Sequence, residues 1–207
     1  MRLSQRQSKG AKPIPKGTYR TFLEKRLSAG STNVTDVYHA VRKIPYGSTG
    51  ERDPLKVIAN NLGSCSGKHV LLRDLLREVG WEAEIITMFT YFNRGIPSHP
   101  AMPAELRAMI EDEDVCDFHH YVRVRMGEGW RKLDATWHDA LIPYGFPVNR
   151  DWKGESDTIL AAAPVREYPA VEDLVALKER LLTQLTPEQR EFRAKFFARL
   201  TNWMMTL

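Results

Sequence analysis

One helix dominates the pattern of this sequence. Between Cys65 and about Val79 apolar residues recur every three or four positions and charged residues take the opposite side, as in a helix that buries one face. The apolar side is formed by Leu71, Leu72, Leu75, Leu76 and Val79. Ser64 is a typical N-cap residue, and Gly80 stands where a left-handed helix stop is expected. These boundaries place Cys65 in the first turn of the helix.

Length and composition describe an ordinary globular chain. Its 207 residues suffice to bury a core without disulfides or metals, and hydrophobic and charged fractions of 43% and 27% argue against disorder. Two cysteines are too few for a disulfide framework. No stretch reaches the roughly 18 apolar residues of a membrane span, and the first residues lack an apolar signal segment. We therefore expect a cytoplasmic protein with reduced thiols and no membrane partner.

The chain divides into three predicted parts. Residues 1–17 are polar, basic and interrupted by prolines, which predicts a flexible basic tail that carries part of the net charge of +4. Residues 18–163 are predicted to form the core domain. Residues 164–207 are predicted to form a C-terminal helical extension packed on that core. We assign no function to the tail and do not expect nucleic acid as a partner.

The remaining elements predict an α+β fold. Helical spacing is found at Tyr19–Leu27, Val34–Ile44, Pro54–Leu62, Pro103–Ile110, Val171–Gln184 and Pro187–Met205. β-Branched and aromatic residues favour strands at Trp81–Phe92, Phe118–Met126 and Trp130–Leu133. Because glycines separate the last two strands, we expect a hairpin within an antiparallel meander. The long connection at 93–117 is expected to form a lid or a rim.

Three polar residues suggest a nucleophilic site. A thiol at a helix N-terminus feels the positive end of the helix dipole, which favours the thiolate of Cys65. His119 and His120 lie at the head of one strand of the hairpin, and Asp134 ends the strand paired with it. The hairpin brings these ends together, so that an aspartate could hold an imidazole facing the thiol. The fifteen-residue step to Asp134 favours His119, because His120 points to the opposite face.

Three motifs in this order resemble the transglutaminase-like superfamily. They are Gly63-Ser64-Cys65-Ser66-Gly67-Lys68-His69, Phe118-His119-His120-Tyr121-Val122-Arg123-Val124 and Trp130-Arg131-Lys132-Leu133-Asp134-Ala135-Thr136. The resemblance implies a papain-like core, with a nucleophile helix packed on an antiparallel sheet. It also implies acyl transfer or hydrolysis of a peptide or amide bond through a thioester. Tyr121, Arg123 and Ala135 depart from the residues usual in the family. These departures leave Cys65, His119 and Asp134 in place but weaken what the resemblance implies about the substrate.

On this interpretation Cys65 is the nucleophile, His119 moves the proton and Asp134 orients His119. The backbone N–H of Cys65 is one candidate donor to the oxyanion. Second-donor candidates are Asn60, Asn61 and Tyr46. The expected substrate is a peptide, a protein or a small amide, and the chemistry requires no cofactor and no metal.

Two alternatives stay open at this point. The first is a non-catalytic protein-binding domain that retains the fold, suggested by the departures within the motifs. The second is a structural zinc site built from Cys65, Cys116, His119 and His138, because zinc prefers thiolate and imidazole ligands. Cys116 is otherwise interpreted as a packing residue or a redox partner. The sequence names neither the substrate nor the oligomeric state.

Overall fold

The structure is a computed structural model that describes residues 17–27 and 31–207. The predicted basic tail therefore lies, apart from Gly17, outside the described residues. The helices are α1 (Thr18–Arg26), α2 (Val34–Arg42), α3 (Pro54–Asn60), α4 (Cys65–Glu78), α5 (Ala104–Glu111), α6 (Leu174–Leu182) and α7 (Pro187–Met204). The strands are β1 (Ala83–Tyr91), β2 (Cys116–Met126), β3 (Gly129–Leu133) and β4 (Arg166–Tyr168). Two short 3-10 helices occupy Phe92–Gly95 and Asp139–Tyr144.

The four strands form one antiparallel sheet in the order β3-β2-β1-β4. Strands β1, β2 and β3 form the predicted meander, in which Val122 pairs with Ile85 on one side and with Leu133 on the other. The short strand β4 was not predicted. It has only three residues, most of them exposed, so it shows neither an apolar alternation nor a length that a pattern could reveal.

Helix α4 packs on one face of this sheet. Its four leucines are fully buried against apolar residues of β1 and β2, including Ile85, Val122 and Val124. Each buried leucine contributes about 1.5–3 kcal/mol relative to an exposed one, so the four together strongly stabilise the packing of α4 on the sheet. At its N-terminus the Ser64 hydroxyl accepts a hydrogen bond from the backbone N–H of Gly67 at 3.4 Å. At the other end Gly80 adopts the expected left-handed conformation with φ of 93°.

The C-terminal helices pack on the same sheet through two further clusters. Helix α7 buries Phe196, Phe197 and Leu200 in a cluster that also contains Ile86 and Met88 of β1. Helix α6 packs its leucines, including Leu177 and Leu181, against Phe118 of β2. The predicted fold class, an α+β papain-like core with a helix on an antiparallel sheet, is confirmed.

The connection between β1 and β2 is folded against the core. Asn93 holds its two ends together: the side-chain amide donates to the carbonyls of Ile110 and Glu113 at 3.0 and 2.8 Å and accepts from the N–H of Val115 at 2.9 Å. The helix predicted within this connection is α5. Among the described residues no helix is both long enough and apolar enough to cross a membrane.

Candidate active site

Cys65 is the first residue of α4, and the chain around it is fixed by backbone hydrogen bonds. Tyr46 forms a parallel bridge with Gly63, in which the N–H of Gly63 donates to the carbonyl of Pro45 and the N–H of Gly47 donates to the carbonyl of Gly63, both at 3.1 Å. This bridge holds the Tyr46 segment beside the start of α4. The Cys65 residue is only 3% exposed, so its thiol faces the interior of the protein.

His119 and Asp134 meet at the ends of the paired strands β2 and β3. The His119 Nε2 atom lies 2.8 Å from Asp134 Oδ2, and both side chains are almost fully buried. His120 points to the other face, where its Nδ1 atom lies 3.1 Å from the Thr87 hydroxyl. The remaining His119 nitrogen, Nδ1, has no hydrogen-bond partner among the residues that the structure describes. That nitrogen is therefore available to the Cys65 sulfur.

The Asp134 carboxylate is fixed from three further directions. Its Oδ1 accepts hydrogen bonds from the Thr136 hydroxyl at 2.5 Å and from the Thr136 N–H at 3.0 Å. Its Oδ2 accepts from the backbone N–H of Ala161 at 2.7 Å as well as facing His119. The carboxylate is thus ionised, because burial raises its pKa but the His119 and His69 rings hold that pKa well below its usual range.

Two residues of α4 connect this helix to the chain segment that carries Asp134. The Lys68 ammonium is fully buried and donates to the carbonyls of Arg42, Ile44 and Thr136 at 3.2, 2.6 and 2.9 Å. The His69 Nε2 atom accepts from the N–H of Ala135 at 2.9 Å. These contacts hold the first turns of α4 beside the chain on either side of Asp134.

Cys65 and His119 shift each other's pKa. Burial raises the pKa of the Cys65 thiol, but the Lys178 ammonium and the neighbouring His119 ring outweigh burial and leave that pKa below its ordinary value of 9.0. Burial lowers the pKa of His119, whereas the Asp134 carboxylate and the Cys65 thiolate raise it to about 10. The arrangement therefore favours a thiolate next to an imidazolium.

A second buried charge cluster adjoins Cys65. The Asp117 carboxylate, on β2 two residues before His119, lies 2.7 Å from Arg193 Nε of α7 and 3.8 Å from Lys178 Nζ of α6. Burial raises the pKa of Asp117, but Arg193 and Lys178 outweigh burial and lower it to about 2. Lys178 also donates to the hydroxyl of Ser66, the residue after Cys65, at 3.2 Å. The C-terminal helices thus bring two cations to the site.

The three second-donor candidates for the oxyanion are placed differently. Asn60 and Asn61 are exposed, and the Asn61 amide oxygen accepts a hydrogen bond from Arg26 at 2.7 Å, so Asn61 faces α1. Tyr46 is buried in the same cluster as Cys65. Burial raises the pKa of the Tyr46 hydroxyl well above its ordinary value, and the nearby Cys65 thiolate raises it further, so the hydroxyl stays a donor.

Two residues of the alternative zinc site, Cys116 and His138, have partners away from Cys65 and His119. Cys116 is buried beside Phe118 and accepts a weak hydrogen bond from Gln189 at 3.6 Å. The His138 Nδ1 atom accepts from the N–H of Tyr46 at 3.3 Å. Within residues 17–27 and 31–207, no group of three or more His, Cys, Asp or Glu side chains is arranged to hold a metal ion. Cys116 is a packing residue in this structure.

Sequence reasoning missed the charged residues that surround Cys65, His119 and Asp134. Lys178 has a recognisable signal, since it lies at a helical spacing of four from Leu174 and on the face that carries Leu177 and Leu181. A lysine on the apolar face of a helix indicates a buried partner. Asp117 carries a similar signal, as a carboxylate inside a buried strand. Arg193 has none, because α7 is charged on several sides.

Comparison with known families gives one match. The model of the family described as the Transglutaminase-like superfamily matches residues 22–135. The matched region includes Cys65, His119 and Asp134 and ends before α6 and α7. A comparison with curated proteins found no match.

Proposed function

This chain belongs to the transglutaminase-like superfamily, and we propose that it catalyses acyl transfer or hydrolysis at the amide bond of a peptide, a protein or a small amide. In this proposal Cys65, His119 and Asp134 are the catalytic triad. What supports it is the placement of His119: its Nε2 faces Asp134 at 2.8 Å, its Nδ1 is buried without a hydrogen-bond partner among the described residues, and Cys65 is close enough to raise the pKa of the ring.

The proposed reaction has two stages. The Cys65 thiolate attacks the carbonyl carbon, and the tetrahedral intermediate collapses as the C–N bond breaks and His119 gives its proton to the leaving amine. This step leaves a thioester on Cys65 and a neutral His119. Water or a second amine then attacks the thioester and transfers a proton to His119. Cleavage of the C–S bond restores the thiolate, while Asp134 keeps the ring oriented throughout.

Donors for the oxyanion are available at the start of α4. The backbone N–H groups in the first turn of a helix lack acceptors within the helix, so the N–H of Cys65 is one proposed donor. Tyr46 is the proposed second donor, because it is the one candidate side chain that the structure buries together with Cys65. Asn60 and Asn61, being exposed, receive no role in this proposal.

Covalent labelling tests the proposal. An electrophilic amide or ester analogue is expected to modify wild-type protein and the Cys116→Ala variant but not the Cys65→Ala variant. Mass spectrometry of the trapped adduct is expected to place the acyl group on Cys65. Equal labelling of the two single variants, or an adduct on Cys116, would reject the assignment of the nucleophile.

Burial favours one rival, the non-catalytic binding domain. Cys65 and Asp134 are each 3% exposed and His119 is fully buried, so a substrate enters only after the covering residues move. If the domain serves only to bind proteins, wild-type Cys65 should titrate as an ordinary thiol. It should also form no acyl adduct with a library of amides and esters. Turnover that depends on Cys65 excludes this rival.

A further inference from the structure

Lys178 is a buried cation on the apolar face of helix α6. It lies on α6, is 3% exposed, and the other buried residues of that helix are Leu174, Leu177 and Leu181. Burying an ammonium costs several kcal/mol unless charged or polar partners compensate it. The partners of Lys178 are the Ser66 hydroxyl at 3.2 Å and the Asp117 carboxylate at 3.8 Å. Both belong to the surroundings of Cys65.

The chemistry of the ammonium fixes the direction of the hydrogen bonds. An ammonium has three donors and no acceptor, so Ser66 Oγ must accept from Lys178. The hydroxyl hydrogen of Ser66 is then free to point elsewhere. The Cys65 sulfur lies 3.9 Å from Ser66 Oγ, at the long end of the range for hydrogen bonds to sulfur. Lys178 therefore orients Ser66 as a donor towards that sulfur.

We propose that Lys178 and Ser66 form a donor relay that stabilises the Cys65 thiolate, and that helix α6 is consequently part of the active site. The inference rests on the proposed function and extends it to two positioning residues, one of which lies outside the matched family region 22–135. Neither residue needs to touch the substrate, because both act through the sulfur.

The charges around Cys65 support this assignment. The ionisable groups in the region of Cys65 and Lys178 are Tyr46, Lys68, Asp117, His119, His120, Lys178 and Arg193. Burial keeps Tyr46 and His120 neutral, and three carbonyls surround the Lys68 ammonium. Asp134 balances a protonated His119, and Asp117 balances one of the two cations Lys178 and Arg193. Within the group formed by Asp117, Lys178 and Arg193 one positive charge is left, and the Cys65 thiolate is the adjacent anion that neutralises it.

Titration of the thiolate tests the relay directly. We would use full-length protein that carries Cys116→Ala, so that the ultraviolet absorbance of the thiolate reports Cys65 alone. Lys178→Met keeps the volume and removes the charge, and it is expected to raise the midpoint of the titration by about one pH unit. Ser66→Ala is expected to raise it as well. Because Lys178 orients the Ser66 hydroxyl, the double variant should shift the midpoint by less than the sum of the two single shifts.

Controls separate the relay from general effects on folding. Lys195→Met removes an exposed lysine of α7 and should leave the midpoint unchanged. Ser66→Thr retains the hydroxyl and should restore the wild-type midpoint. A wild-type midpoint in Lys178→Met, or in Ser66→Ala if Lys178→Met fails to fold, overturns the relay. Failure of the proposed function has a different readout, namely a wild-type protein that forms no acyl adduct on Cys65.

Discussion

Replacing Asp134 by Asn removes a negative charge and one acceptor while keeping the shape of the side chain. The carboxylate faces donors on both oxygens: His119 and the N–H of Ala161 on one, the hydroxyl and the N–H of Thr136 on the other. An amide has one oxygen and one NH2 group. Its oxygen can accept from one of these two pairs of donors, whereas its NH2 group faces the other pair with hydrogens. His119 and the Thr136 hydroxyl can adapt by accepting, whereas the two backbone N–H groups cannot.

The expected loss in the free energy of unfolding follows from these unmatched donors. In either orientation of the amide one buried backbone N–H is left facing a donor, which costs about 1–3 kcal/mol. A protonated His119 also loses its anionic partner, and breaking a buried charge pair costs about 3–5 kcal/mol. These two costs overlap, because His119 can release its proton. We therefore expect Asp134→Asn to lower the free energy of unfolding by about 3 kcal/mol.

Urea unfolding followed by circular dichroism measures this loss. The matched control is Asp114→Asn, because Asp114 accepts from Arg94 on the surface, where an ion pair contributes about 0–1 kcal/mol. Asp134→Asn should also raise the pH at which Cys65 ionises, since a neutral His119 no longer stabilises the thiolate. A loss below 1 kcal/mol in Asp134→Asn would refute the argument that the four hydrogen bonds fix this carboxylate.

Three further predictions follow from other contacts. Lys68→Met leaves three buried carbonyls without their donor and should cost about 2–3 kcal/mol in the free energy of unfolding, measured in urea. Gly95→Ala places a Cβ 1.9 Å from the carbonyl oxygen of Ala161, so the backbone must shift, and a comparable measurement should show a loss of about 2 kcal/mol or more. Turnover should rise as Cys65 ionises, below pH 9.0, and fall as pH rises through the pKa of His119 at about 10, in a pH–rate profile.

Each of these predictions has a control. Lys56→Met removes a lysine that is 60% exposed and should change stability by less than about 1 kcal/mol. Gly129→Ala adds a Cβ whose nearest neighbour is the end of the Arg131 side chain at 3.5 Å, so it should be tolerated. Alkylation of Cys65 needs the thiolate but no imidazolium, so it should not fall above pH 10. Parallel decline of alkylation and turnover would contradict the role given to His119.

The sequence predicted the parts of the fold that depend on local patterns. Helix α4 was predictable because its leucine face, its serine cap and its glycine stop all agree, and its observed bounds are Cys65–Glu78. The meander was predictable because a glycine turn fixes the register of β2 and β3, which brings Asp134, the residue after β3, close to His119 on β2. Both rest on contacts between residues that are near in sequence.

Contacts between distant segments could not be predicted in this way. Lys68 is an ordinary lysine in the sequence, and nothing near it reveals that three carbonyls from two other segments will surround its ammonium. The same holds for Ala161, whose N–H reaches Asp134 from 27 residues away. Such contacts depend on how the elements pack, whereas a charged residue on an apolar helix face or inside a buried strand, such as Lys178 or Asp117, indicates its burial beforehand.

The position of Lys178 bears on the boundary drawn at residue 163. A core that ended there would keep Cys65, His119 and Asp134 but would lose both cations that surround Asp117. The Asp117 carboxylate would then stand next to Cys65 without compensation, and its charge would oppose the thiolate instead of balancing a cation. Helices α6 and α7 are therefore bound to the core by the electrostatics of the site as well as by their apolar faces. A chain shortened at residue 163 should consequently retain the triad residues but not the acidity of the Cys65 thiol.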